Sequence, residues 1–91
     1  MDYRDAVLTL RHGSKPCRVE ELSPAAARVR ADGNAQDLDG AEVALEIPGY
    51  GRVPAEVVVM TDGAIGLMFL HDGHARDAMR TWLARNDEIG V

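Results

Sequence analysis

Apolar and polar side chains alternate along the chain as far as residue 70, and a period of two is typical of β-strands with one buried face. The alternation is clearest over residues 41–47, where aliphatic side chains at the odd positions face one way and Glu42 and Glu46 face the other. The pattern predicts six strands. They cover residues 3–11, 15–21, 25–31, 41–47, 52–60 and 64–70.

Turn-forming residues separate these segments. Residues 12–14 (HGS) predict the first turn, residues 32–40 a polar loop, and residues 61–63 (TDG) a short hairpin connection. Residues 48–51 (PGYG) predict a turn in which both glycines adopt positive φ. Six short antiparallel strands at this spacing favour an all-β barrel.

The hydrophobic period changes near the C-terminus. Residues 75, 78, 79, 82 and 83 are apolar and form one stripe at helical spacing, so the sequence predicts a C-terminal α-helix that covers an end or flank of the barrel. Asp72 is expected to cap this helix, and residues 86–91 are expected to form a frayed tail. Met79 and Trp82 are interpreted as core, with a docking patch as the alternative.

Composition narrows the class of protein. The 91 residues predict a single domain spanning 1–91, and no apolar run is long enough to cross a bilayer, so we expect no membrane insertion and a cytoplasmic location. The net charge of −5, with ten basic residues dispersed among fifteen acidic ones, argues against DNA or RNA as a partner. Cys17 is the only cysteine, which excludes an internal disulfide.

Catalytic and metal chemistry find little support in the sequence. His71 and His74 straddle the expected end of a strand without a third strong ligand, so we expect no metal site. Cys17 is interpreted as a core residue and Ser23 lacks a histidine partner, so the chain is not expected to be an enzyme. The neighbouring carboxylates Glu20 and Glu21 are expected on opposite faces of a strand, where they cannot act as a pair.

Two short motifs carry a family resemblance. Residues 21–26 (ELSPAA) resemble the D/N-x-S-x-x-G signature of PilZ domains and lie between the second and third predicted strands, as that signature does. Residues 63–69 (GAIGLMF) are similar to a late strand of the same family, and the predicted helix follows them. The resemblance covers nearly the whole chain and implies a PilZ-like split barrel.

The resemblance also implies a ligand, the bacterial second messenger cyclic di-GMP, held by an R-x-x-x-R motif and by the D/N-x-S-x-x-G segment. Arg4 matches the second arginine of that motif, and the first would lie before Met1. Glu21 replaces the acidic or amide residue of the signature and Ala26 replaces its glycine, while Ser23 is kept. If position 26 needs a left-handed backbone, its Cβ costs about 1–2 kcal/mol.

Three functional hypotheses follow from this degenerate motif. The first is an interaction or adaptor module for a protein partner in bacterial signalling, motility or envelope control, which uses the outer strand face or the helix and needs no cofactor. The second is a cyclic-di-GMP receptor with a rearranged site. The third is one segment of a larger effector whose upstream part supplies the other arginine. Candidate ligand-binding residues are Arg4, Glu21, Ser23, Ala26, Arg28 and Arg30.

Overall fold

The computed structural model describes residues 4–11, 13–31, 40–59 and 64–89. It contains six strands, as the alternation predicted, followed by one helix, as the change of period predicted. The elements are β1 Asp5–Leu10, β2 Gly13–Leu22, β3 Ala26–Arg30, β4 Glu42–Ile47, β5 Gly51–Val59, β6 Ile65–Phe69 and α1 Gly73–Ile89.

The strands close into an antiparallel barrel in the order β1-β2-β3-β6-β5-β4, with β4 pairing back onto β1. Closure leaves the sheet without an edge strand. Alternate side chains fill the interior, and Leu8, Val29 and Leu45 are fully buried there. No charged or polar residue of the described chain is buried, so one apolar core supports the whole barrel.

The helix closes one end of the barrel, and its N-terminal cap is the predicted one. Asp72 accepts a hydrogen bond from the amide of Ala75 at 2.8 Å. Met79 and Leu83 are buried in the core, and the half-buried Trp82 donates from its indole to the carbonyl oxygen of Gly49 at 3.2 Å. The core interpretation is therefore confirmed for Met79, and Trp82 packs half-buried against the core.

Two details of the helix differ from the prediction. Ala78 is exposed, because the buried stripe is narrower than the run of apolar residues suggested. The expected tail at residues 86–91 is wrong as far as Ile89, since the helix continues to that residue. Residues 74–89 contain neither glycine nor proline to end the helix, which explains its extra length. Residues 90–91 lie outside the described residues.

The first turn is shorter than predicted, because Gly13 and Ser14 already pair with Leu10 and Thr9 within the β1–β2 ladder. The turn at residues 48–50 agrees with the prediction, and Gly49 and Gly51 both have positive φ, at 83° and 135°. The predicted connections at residues 32–39 and 61–63 lie outside the described residues.

The β2–β3 turn lies at the end of the barrel that the helix covers. The strand registers place the end of β2, the start of β3 and the end of β6 together there. Phe69 donates its amide to the carbonyl oxygen of Ala25 at 3.0 Å, so the chain that leads into the helix is tied to this turn. The fold thereby brings the Ser23 segment and the helix to the same end.

Candidate functional site

The Ser23 segment is a tight turn that uses its own polar groups. The amide of Ser23 donates to the carbonyl oxygen of Ala26 at 2.8 Å. The hydroxyl of Ser23 accepts from the amides of Ala26 and Ala25, at 3.1 and 3.4 Å, and donates to the Ala26 carbonyl oxygen at 3.1 Å. A serine in this arrangement stabilises the turn in the absence of any ligand.

A β-bulge in β2 interrupts strict alternation next to this turn. Val19 pairs with Val29, but Arg28 pairs with Glu21, so Glu20 is the extra residue on β2. The expectation that Glu20 and Glu21 point to opposite faces is wrong, because the bulge lets both carboxylates reach Arg28.

The two glutamates neutralise the two arginines of β3. Arg28 Nη2 lies 2.9 Å from Glu21 Oε1, and Arg28 Nε lies 3.5 Å from Glu20 Oε1. Arg30 Nε donates to Glu20 Oε2 at 3.0 Å. Arg28 and Arg30 share the outer strand face, as predicted, and Glu20 bridges them. The resulting cluster carries two positive and two negative charges.

Ala26 does not require the backbone conformation that favours glycine. Among the described residues only glycines have positive φ, so the cost considered for a left-handed alanine does not arise. Ala26 is half-buried and pairs with Met68 of β6 across the strands. Its methyl group therefore occupies space that a glycine at this position would leave open.

The main chain of Arg4 lies near the site. Its carbonyl oxygen accepts a hydrogen bond from the amide of Val19 at 2.8 Å, which extends the β1–β2 ladder to the edge of the bulge. Arg4 precedes the first residue of β1 and is half-buried. Its main chain thus places it next to the bulge of β2.

Four of the six candidate residues line one shallow depression of about 430 Å³. They are Glu21, Ser23, Ala26 and Arg28, joined by Leu22 and Ala27. Arg30 lines a neighbouring depression of about 480 Å³ on the outer face of β1, β2 and β3, together with Glu20 and Arg18. The site is thus an outer face with paired charges.

Two residues that contact the candidate site were not predicted. Glu20 completes the charge cluster. The short connection between β2 and β3 is the sequence signal that could have indicated its position near Arg30. His71 was interpreted as a polar loop residue, but its Nε2 lies 2.6 Å from the carbonyl oxygen of Pro24. Its ring packs edge-on against Phe69 with centroids 5.4 Å apart, so His71 fixes the turn to the end of β6.

The thiol of Cys17 and the metal-ligating side chains are the remaining reactive groups of the described residues. Burial raises the pKa of the Cys17 thiol to about 11, although nearby Lys15 opposes the shift, so the thiol stays protonated at neutral pH. Within residues 4–11, 13–31, 40–59 and 64–89, no three metal-ligating side chains come together.

Comparison of the chain with models of known protein families and with curated protein sequences finds no match in either. Within the described part of the chain, no helix combines the length and apolar character that a membrane crossing requires. The fold is therefore established by the structure itself, as a closed six-stranded antiparallel barrel with a C-terminal helix.

Proposed function

We propose that this chain is a PilZ-like interaction domain of bacterial signalling, which acts through contacts with a protein partner and has largely lost the cyclic-di-GMP site. The order of elements supports the proposal. The Ser23 turn connects β2 to β3, Gly66 and Phe69 lie in β6, and the helix follows directly. This arrangement agrees with the one that the family resemblance implies.

The neutralised arginines are the observation that carries the proposal. A dinucleotide phosphate would have to compete with Glu20 and Glu21 for Arg28 and Arg30, and the two carboxylates would repel it. A lost charge-assisted hydrogen bond costs about 1.5–3 kcal/mol of binding free energy, or one to two decades of affinity. Losing one such bond at each of Arg28 and Arg30 would remove about two to four decades, which turns micromolar binding into millimolar binding.

A protein partner fits this outer face better than a small anion does. The depression between β1 and β3 has apolar residues, Val7 and Pro16, beside the charged side chains of Asp5, Arg18 and Arg30. Mixed surfaces of this kind are common at the rims of protein interfaces, where charge pairs determine specificity more than affinity. The proposed role includes no catalytic step.

A cyclic-di-GMP receptor with a rearranged site is the second candidate. The depression of about 430 Å³ favours it, because Glu21, Ser23, Ala26 and Arg28 already meet there. Arg4 and Arg30 would have to turn toward the ligand. If the chain is a segment of a larger effector, an upstream arginine could complete this site.

Isothermal titration of the protein with cyclic di-GMP separates the two candidates. We expect no binding tighter than about 1 mM for the wild-type chain. A dissociation constant below about 10 μM would overturn the interaction-module proposal and favour the receptor.

A double variant tests the cause directly. Glu20→Gln with Glu21→Gln removes both carboxylates from the arginines, and we expect it to bind the dinucleotide at least tenfold more tightly than the wild type. Glu42→Gln with Glu56→Gln makes the same change in net charge on another face and serves as the control. Equal tightening in both variants, or weaker binding in the first, would contradict the proposed role of the two glutamates.

A further inference from the structure

Two methionines lie within the described residues, and their environments are opposite. Met68 lies on the outer side of β6 and is 54% exposed, whereas Met79 lies on the side of the helix that faces the core and is 0% exposed. Met1 and Met60 lie outside the described residues. While the protein is folded, a reagent in solution can therefore reach the side chain of Met68 but not that of Met79.

The residues that surround Met68 on the outer surface shield it little. Across the strands, Met68 pairs with Ala26 of β3 on one side and with Glu56 of β5 on the other. Ala26 has only a methyl group, and Gly66, the preceding outer position of β6, has no side chain. Glu56 is itself exposed. These small or exposed neighbours explain why so long a side chain remains open to solvent.

The thiol of Cys17 is protected from oxidants in two ways. Cys17 is 7% exposed, so little of it meets the solvent. Burial also raises its pKa to about 11, against the opposing effect of Lys15, so at pH 7 only about one thiol in ten thousand is the thiolate that attacks peroxides. A thioether reacts without losing a proton. In this chain the cysteine therefore lacks the advantage in reactivity that a thiolate has over a methionine.

We propose that Met68 is the first side chain of the described residues to be oxidised by hydroperoxides, and that the product is methionine sulfoxide. A lone pair of the sulfur attacks one oxygen of the peroxide, the O–O bond breaks and an S–O bond forms. With hydrogen peroxide, the sulfur loses two electrons and gains one oxygen atom. The second oxygen leaves with both hydrogen atoms as water, so no further reductant or proton is needed.

Oxidation at this position changes the surface and leaves the core intact. Met68 is the most exposed of the three large hydrophobic side chains on the outer surface of the described residues, with Val58 and Leu70 beside it in the list of such residues. A sulfoxide makes this position polar, and methionine sulfoxide reductases reverse the change. Because the altered atom lies outside the core, we expect the melting temperature to shift by less than about 4 °C. This inference does not rest on the proposed function.

Treatment of the full chain with hydrogen peroxide at pH 7, followed by digestion and tandem mass spectrometry, tests the proposal. In the native protein we expect Met68 to gain one oxygen atom at least about tenfold faster than Met79, and to do so before Cys17 is oxidised. In urea, where both methionines are exposed, their rates should agree within about twofold. Fragment ions assign the added oxygen to Met60 or to Met68 separately.

A pair of variants tests the reason for the exposure. Ala26→Leu places a larger side chain opposite Met68 and should slow its oxidation about twofold or more. Ala84→Leu makes the same change on the exposed surface of the helix and should leave the rate unchanged. Equal rates at Met68 and Met79 in a protein that keeps its native circular dichroism spectrum would overturn the proposal, and so would oxidation of Cys17 ahead of Met68. An unchanged rate in Ala26→Leu would overturn the role given to the small neighbours.

Discussion

Two outer faces of the same barrel carry like charges directly opposite each other, but only one of them compensates the repulsion. Arg18 pairs with Arg30 across β2 and β3, as Glu42 pairs with Glu56 across β4 and β5. Asp5 lies 2.7 Å from Arg18, and Glu20 lies 3.0 Å from Arg30. On the β4–β5 side, no described residue makes an ion pair with either glutamate.

The two faces of one barrel thus treat the same kind of repulsion differently. On the face that carries the motif-like residues, Arg28 and Arg30 already have ion-pair partners within the chain, so an anionic ligand would have to compete with Glu20 and Glu21 for them. Glu42 and Glu56 have no ion-pair partner among the described residues, and Val58, Met68 and Leu70 lie exposed on the neighbouring outer surface of β5 and β6. A recognisable motif and an available surface are therefore separate properties.

The largest expected effect concerns the core that the two faces share. Val29 lies behind Arg28 and Arg30, and Val57 lies behind Glu56, and both valines are buried. Val29→Ala and Val57→Ala should each lower the free energy of unfolding by about 2–3 kcal/mol, because each leaves a cavity in a closed barrel. Urea denaturation measures both values. If they differed by more than about 2 kcal/mol, the contrast between the faces would extend into the core and would not be confined to surface charge.

The next effect tests whether β2, which carries part of the charge-paired face, opens in the native protein. Cys17 lies on β2 beneath that face and is 7% exposed. With a pKa of about 11 in place of the ordinary 9.0, its thiolate fraction at pH 8 falls about a hundredfold. Iodoacetamide should therefore label the native protein at least about a hundredfold more slowly than the unfolded protein.

An exposed thiol supplies the control for this measurement. Ser14→Cys combined with Cys17→Ala places a thiol at an exposed position of the same strand and should label rapidly. Rapid labelling of native Cys17 would mean that β2 opens in spite of its ion pairs. The raised pKa also means that the stability conferred by the neutral thiol is present below about pH 9 and is lost as the pH rises toward 11.

The sequence predicted the barrel because alternation holds over nearly every strand. A strand that buries every second residue shows an apolar residue at every second position of the sequence. Ala6, Val43 and Leu67 are buried at such positions. The cap at Asp72 was predictable for the same reason, since it depends on local spacing. Local rules of this kind need no knowledge of which strands become neighbours.

The details of the site were less predictable because they depend on register. A bulge at Glu20 adds one residue to β2, and a single sequence contains no periodic sign of it. The ion pairs of Arg28 and Arg30 follow from that bulge, and so does the neutrality of the face. The contact between His71 and Pro24 joins positions 47 residues apart, which only closure of the barrel brings together.

The smallest expected effect is a difference in sign between two matched substitutions. Glu20→Gln removes the carboxylate that bridges Arg28 and Arg30, so it should lower the free energy of unfolding by about 1 kcal/mol. Glu56→Gln removes one of two facing carboxylates and should raise that free energy by about 0.2–0.5 kcal/mol. Thermal and urea denaturation measure both changes. Because both effects are electrostatic, 1 M salt should shrink them together, and loss of the sign difference at low salt would mean that the two faces do not differ in charge compensation.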